Sequence, residues 1–287
     1  MIKIFAPNDS LKNFVLFFHM FHWTKKESDS IIKHRCLPTG CSFLGFQREG
    51  SMQVVIDDLT ISPSKYYLNA QTTVPYFMQT HTNNFKAMVA CLKPTSIYHL
   101  FKISPTELVD ASQNPKDLFG DLFNRFETKF LEEENPFRQF LLVQKLITDQ
   151  IKRAGPKLNI IDIAIDYIII KEGKLKVKDL LSYLNVSERH FQKKFKSVVG
   201  IPPYSYIQII RINFIFSYLR SSNLKDCKTI TAFSNFYDVA HFSKVFKNFM
   251  GISPSEFNID EFPFLKLTAV EQALWITPFQ ALMEKHN

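Results

Sequence analysis

His190–Ile207 reads HFQKKFKSVVGIPPYSYI, and His241–Phe257 reads HFSKVFKNFMGISPSEF. Phe191, Lys193, Phe195, Lys196, Gly200, Ile201 and Pro203 return as Phe242, Lys244, Phe246, Lys247, Gly251, Ile252 and Pro254, always 51 positions later. In each copy the apolar residues recur at i, i+4 and i+7, the spacing of one buried stripe on a helix. Ser187 and Asp238 stand where an N-cap is wanted, and Gly200 and Gly251 where a helix must stop. Pro203 and Pro254 then suit the first turn of a following helix, with Glu256 placed to complete a capping box on Ser253.

A shorter helical pattern precedes each copy. VKDLLSYLN, from Val177, turns Leu180, Leu181 and Leu184 inward, and KTITAFSN, after Cys227, does the same with Ile230 and Phe233. Asn185 and Asn235 fall in the intervening turns, where a left-handed residue is expected. Two helices joined by such a turn, the second basic on its open face, describe a helix-turn-helix. The second turn is one residue longer, so the leading helices are offset by 50 positions and the following ones by 51. Between the units, Pro203–Ser221 reads as one helix, with Tyr206, Ile209, Ile210 and Phe214 among its apolar positions. At 1.5 Å per residue it is a rod of roughly 27 Å, which suits two readers entering successive major-groove segments.

Charge points the same way. Residues 174–258 hold thirteen Lys and Arg against five Asp and Glu, a net of +8, whereas the other residues balance. A local excess of this kind implies a polyanionic partner, most simply nucleic acid.

The remainder of the 287 residues reads differently. Residues 1–105 contain β-branched and aromatic runs, IIKHRCL, CSFLGF, MQVVIDDLTI and FKAMVACL, broken by turn-forming groups such as PTG and SPS. They predict a sandwich or small barrel. From Asp117 the period becomes helical, with Leu118, Leu122, Phe126 and Phe130 on one face, and Phe137, Phe140, Leu141, Gln144, Ile147 and Ile151 on another. AGPKLN, 154–159, interrupts the pattern. The expected division is therefore a domain over 1–153, a linker over 154–159, a helical domain over 160–259 and a tail over 260–287.

Other chemistries find little in these residues. No apolar run is long enough to span a bilayer, and no secretion signal is legible, so a cytoplasmic protein is expected. Cys36, Cys41, Cys91 and Cys227 form no CxxC pair and suit a reducing compartment. His19 and His22 would point to opposite faces of a strand, and His34, His81 and His99 are scattered, so no metal site or cofactor is expected. Neither a nucleophile motif nor a phosphate loop occurs, which argues against an enzyme. The rival readings are a cupin-type metal-dependent enzyme, and an interaction protein carrying a decayed helix-turn-helix.

The strings VKDLLSYL, VSERHFQKKFKSVVGIPPYSYIQIIR and ITAFSNFYDVAHFSKVFKNFMGISPSEF closely resemble the DNA-binding domain of AraC/XylS-type transcriptional regulators. LPTGCSFLGF, LNAQTTVPYF, CLKPTSIYHLF and SPTELVDA resemble, more distantly, the cupin-like sensor or dimerisation domains attached to them. The resemblance implies an α+β chain: an N-terminal cupin-like barrel or sandwich with flanking helices, then an all-α seven-helix domain with two helix-turn-helix motifs. It implies double-stranded DNA as partner, a small-molecule effector, a homodimer, and activation through RNA polymerase. Carried over by position, base edges would fall to Arg189, Gln192 and Lys193 in the first unit and to Val239, Ala240, Ser243 and Lys244 in the second. Ser187, Lys178, Lys196, Lys228 and Lys247 are phosphate candidates. Arg and Lys pair with guanine and Gln with adenine, whereas Val239 and Ala240 offer only apolar contact. The second unit is therefore expected to supply mainly phosphate contacts. Leu181, Thr231, Asn185, Asn235, Cys227 and Ile215 depart from the family pattern at packing positions, and Arg211 reads as structural.

Overall fold

The computed structural model describes residues 2–25, 31–221, 230–231 and 234–258, the side chains of 217–221 excepted. Among the described residues, nine antiparallel strands form two sheets. β1 (Ile2–Phe5), β2 (Val15–Thr24), β9 (Asn84–Leu92), β4 (Ser42–Glu49) and β7 (Tyr66–Asn69) lie in the order β1-β2-β9-β4-β7. β3 (Ile32–Cys36), β8 (Tyr76–Thr80), β5 (Gln53–Ile56) and β6 (Leu59–Ile61) lie in the order β3-β8-β5-β6. Neither sheet closes on itself, so the sandwich alternative holds and the barrel does not. The run 52–61 is two strands rather than one. It folds back at Asp57, whose φ of 48° supplies the left-handed residue of a two-residue hairpin, with Ile56 paired to Leu59.

Helices cover one side of this layer. α1 (Ser96–Phe101), α2 (Lys116–Phe119), α3 (Asp121–Glu132) and α4 (Pro136–Ala154) follow the strands. The buried stripe of α3 is Phe123, Phe126 and Phe130, while on α4 it is Phe140, Val143 and Ile147. Phe137 and Leu141, expected on one face with Phe140, Gln144 and Ile147, are exposed, whereas those three are buried. Asn135 caps α4 by accepting from the Phe137 and Arg138 amides, and Gly155 ends it at φ 53°.

The basic segment builds α5 (Ile160–Ile170), α6 (Val177–Leu184), α7 (Glu188–Val199), α8 (Pro203–Ser221) and α9 (Val239–Met250). Ile230 and Thr231 are helical as well. Tyr206, Ile207, Ile209, Ile210, Ile212, Phe214, Ile215 and Phe216 of α8 are all buried. A helix apolar on every side is a core element, so the rod is an axle around which both units pack, and not a surface strut.

The strand half and the helical half share their core. Leu37 and Cys41 of the β3–β4 loop belong to the same apolar cluster as α5–α9. Gly40, at φ 79°, brings that loop against α8, where a Cβ would stand 2.8 Å from Ile210 Cδ1. Asn213 donates to the Pro38 carbonyl at 2.9 Å from the middle of α8.

Candidate nucleic-acid interface

The two units repeat bond by bond. Val186 N donates to Leu181 O in the first turn, and Phe236 N to Thr231 O in the second, 50 positions on. Asn185 and Asn235 take φ of 51° and 57°. A short amide side chain tolerates this region better than most residues, so both turns close without glycine. After the turns the offset becomes 51: Gly200 N donates to Lys196 O, and Gly251 N to Lys247 O, closing each second helix.

Inward, the copies are alike. Phe191, Phe195 and Val198 of α7 are buried, as are Phe242, Phe246 and Phe249 of α9. Phe191 and Phe195 lie 5.6 Å apart and Phe242 and Phe246 5.5 Å apart, the range of favourable tilted ring pairs. The caps differ. Asp238 accepts from the His241 amide at 2.7 Å, whereas Ser187 forms no side-chain cap.

Outward, Arg189, Gln192, Lys193 and Lys196 are exposed at i, i+3, i+4 and i+7, a single row along α7. Gln192 donates to Glu188 Oε1 at 2.8 Å, which holds its amide at the rim of that row. On α9 the corresponding row is Ala240, Ser243, Lys244 and Lys247, with Val239 one position before it. Ser243 is half-buried and the others are exposed. Lys247 lies near the Glu256 carboxylate. That carboxylate accepts from Ser253 N and Oγ, and these bonds hold its pKa below the ordinary range. Ser187 and Lys178 are exposed at the start of the first unit, and Lys228 lies outside the described residues.

Arg211 belongs to the scaffold. It is buried on α8, donating to Gly173 O at 2.8 Å and Leu175 O at 2.9 Å, and it reaches Asn235 O at 3.5 Å. One guanidinium thereby joins the approach to α6 with the turn before α9. Burial pushes its pKa down, but an arginine of this kind stays charged.

Sequence reasoning missed the cavity between the two sheets, of about 150 Å³. Alternate residues of β2, β5 and β8, among them Phe17, Phe21, Val54, Ile56 and Met78, face into it, and Asn213 of α8 closes part of the wall. Its only sequence signal was the period-two pattern, which marks a buried face without saying whether that face meets a void. Among the described residues no three His, Cys, Asp or Glu cluster as metal ligands. Cys36, Cys41 and Cys91 are buried, and burial pushes the Cys36 thiol up to about 12. No described helix is long and apolar enough to cross a membrane.

Residues 180–258 match a family of helix-turn-helix domains, and residues 3–114 match a family described as a domain of unknown function. The HTH-type transcriptional activator AarP of Providencia stuartii is 28% identical over 99 residues, covering 34% of this chain and 73% of that protein. ToxT of Vibrio cholerae, solved bound to (E)-4-(8-methylnaphthalen-1-yl)but-3-enoic acid, aligns at 15% identity over 92% of this chain and 99% of its own, with a TM-score of 0.45. The AraC-like transcriptional activator CuxR aligns at 13% identity over 74% of this chain and 85% of its own, with a TM-score of 0.25. The duplicated turn and the two exposed rows all fall within the residues that match the helix-turn-helix family.

Proposed function

We propose that the chain is a cytoplasmic activator of transcription that binds double-stranded DNA in a sequence-specific way and is governed by a small molecule held between its sheets. The observation that carries this is the pair of exposed rows, one on α7 and one on α9. Lys and Arg at such positions neutralise phosphates and supply affinity, while a few side chains at the base edges supply selectivity. Arg189, Gln192 and Lys193 are the base readers of the first unit. Val239, Ala240, Ser243 and Lys244 meet the groove in the second, where Lys244 and Lys247 chiefly hold the backbone. Ser187, Lys178 and Lys196 complete the phosphate contacts.

The proposed division of labour places sensing in 1–153 and DNA reading in 160–259, with 154–159 as the connection. Phe137 and Leu141, exposed on α4, favour pairing of two copies there. Contact with RNA polymerase completes the activation step.

Unbiased selection of bound duplexes by the full-length protein tests the reading. A defined site with more information under the first unit is expected, together with affinity that falls steeply as salt rises. Binding that ignores sequence and salt overturns it.

A further inference from the structure

The second turn is longer than the first by one residue, and the hydrogen bonds identify which one. Asn185 matches Asn235, since both take positive φ, at an offset of 50. Val186 matches Phe236 at the same offset, since each amide closes its turn, on Leu181 O and Thr231 O. The N-caps Ser187 and Asp238 match at 51. The residue left over is Tyr237, which has no counterpart in the first unit.

Packing gives Tyr237 no duty. A helix entry is commonly steadied by an apolar residue just before the N-cap that meets the fourth helical residue. In the first unit that place belongs to Val186, half-buried against the helical core. In the second, Phe236 serves from one position further back. It is buried, its ring lies 5.3 Å from that of Phe242, and the Arg211 guanidinium covers it at 5.2 Å. Tyr237 is 92% exposed, more than any other large hydrophobic side chain among the described residues. The backbone on either side is anchored: Asn235 O accepts from Arg211, and Asp238 caps α9 on the His241 amide. The ring is thus presented from a fixed stretch of chain, which lowers the entropic cost of using it in binding.

Its place indicates the partner. Recognition helices meet base edges with their N-terminal residues. Tyr237 stands just before that end of α9, beside Val239 and Ala240, both exposed, on the helix that turns Lys244 and Lys247 outward. Ser187, Glu188 and Arg189 lead the first reader, so its leading edge is polar where that of the second is largely apolar. The apolar group that the major groove offers is the thymine methyl.

Resting on the DNA-reading role assigned above, we propose that Tyr237 is a further specificity residue of the second reader. Its ring lies against the 5-methyl group of a thymine at the edge of the base pairs met by α9. It gives the second unit a preference for T·A at one position, which nothing in the first unit duplicates. The contact is apolar, so the hydroxyl is not needed for it.

Duplexes selected by the full-length protein would locate the position, as an enrichment of T·A at one flank of the segment under α9. Deoxyuridine in place of that thymine removes only the methyl, and should weaken binding about fourfold. Tyr237→Ala should weaken the thymine duplex about tenfold and abolish the difference between thymine and deoxyuridine. Tyr237→Phe should retain both the affinity and the difference. Because the side chain is exposed and neutralises no phosphate, Tyr237→Ala should leave the denaturation midpoint and the salt slope unchanged. Wild-type binding that ignores the methyl at every position under α9 overturns the proposal. So does a loss in Tyr237→Phe equal to that in Tyr237→Ala, which would mark a hydroxyl bonded to phosphate, and so does a shifted midpoint or salt slope. A specific duplex lacking the T·A preference sinks the role of Tyr237 and leaves DNA reading standing, whereas failure to bind any duplex sinks both.

Discussion

α7 and α9 are built on one internal pattern and attached to the rest of the molecule in different ways. Each buries four apolar side chains and ends on a glycine with positive φ. α7 is held along its flank: Lys194 donates to Tyr98 Oη at 3.1 Å, and Gly200 packs against Val109 and the Pro105 carbonyl. The first unit is tied again through α5, where Asp162 meets His99 of α1 at 2.9 Å. α9 is tied to the strand half by Arg35 at its last carbonyl. The exposed rows also differ, Arg-Gln-Lys-Lys against Ala-Ser-Lys-Lys. Packing demands the same inner stripe of any helix in this position, and places no such demand on the outer row. The rows are therefore where the copies are free to take separate duties.

The largest effect tests the shared interior. Phe195→Ala and Phe246→Ala each remove a ring that is at most 1% exposed, and each should cost about 3–5 kcal/mol in chemical denaturation. Similar losses would support equivalent cores, whereas a loss confined to one unit would break the comparison. Arg211→Met comes next. It leaves the Gly173 and Leu175 carbonyls without their donor and uncouples the two units, so a loss of about 3 kcal/mol is expected, with a second unit that melts separately from the first. Separate transitions by two local probes would show it.

The outer rows are tested by binding. Arg189→Ala should relax preference at one base pair by about 1–3 kcal/mol. Lys244→Ala should weaken all duplexes alike and lower the salt slope by about one. If the two substitutions behave identically in a site scan, the assigned difference between readers is wrong.

The smallest effect concerns the anchor of the first unit. Burial alone would raise the Asp162 pKa, but hydrogen bonds from His99 and from the Asn159 amide outweigh it and hold the carboxyl below its ordinary value. A depressed folded pKa adds stability that is complete above the unfolded value, about 3.9, and is lost as pH falls through the folded one. Acid unfolding of Asp162→Asn should therefore be less steep below pH 4, by about 1 kcal/mol or less across that window. An unchanged acid limb would remove Asp162 from the anchor.

Much of the helical half could be read in the chain. The offsets of 50 and 51, the left-handed asparagines, the glycine stops and the bounds of α8 all follow from local rules of capping, periodicity and backbone strain, which act within a few residues. The strands were legible where apolar and aromatic residues were dense. The hairpin at Asp57 was not, because Val54, Val55 and Ile56 on one side and Leu59 and Ile61 on the other read as one apolar run. Phe137 and Leu141 share the helical spacing of Phe140, Gln144 and Ile147, and only the position of the sheet decides that the arc it covers leaves the first two exposed.

The repeat alone dictated two helix-turn-helix units on a common helix, since each needs only contacts between near neighbours. The tertiary structure decided that α8 is buried along 206–216, that two sheets enclose a cavity, and that Arg35 meets Met250 across 215 positions. Such contacts depend on how distant elements stack, and a pattern of residue types along the chain carries no term for that distance.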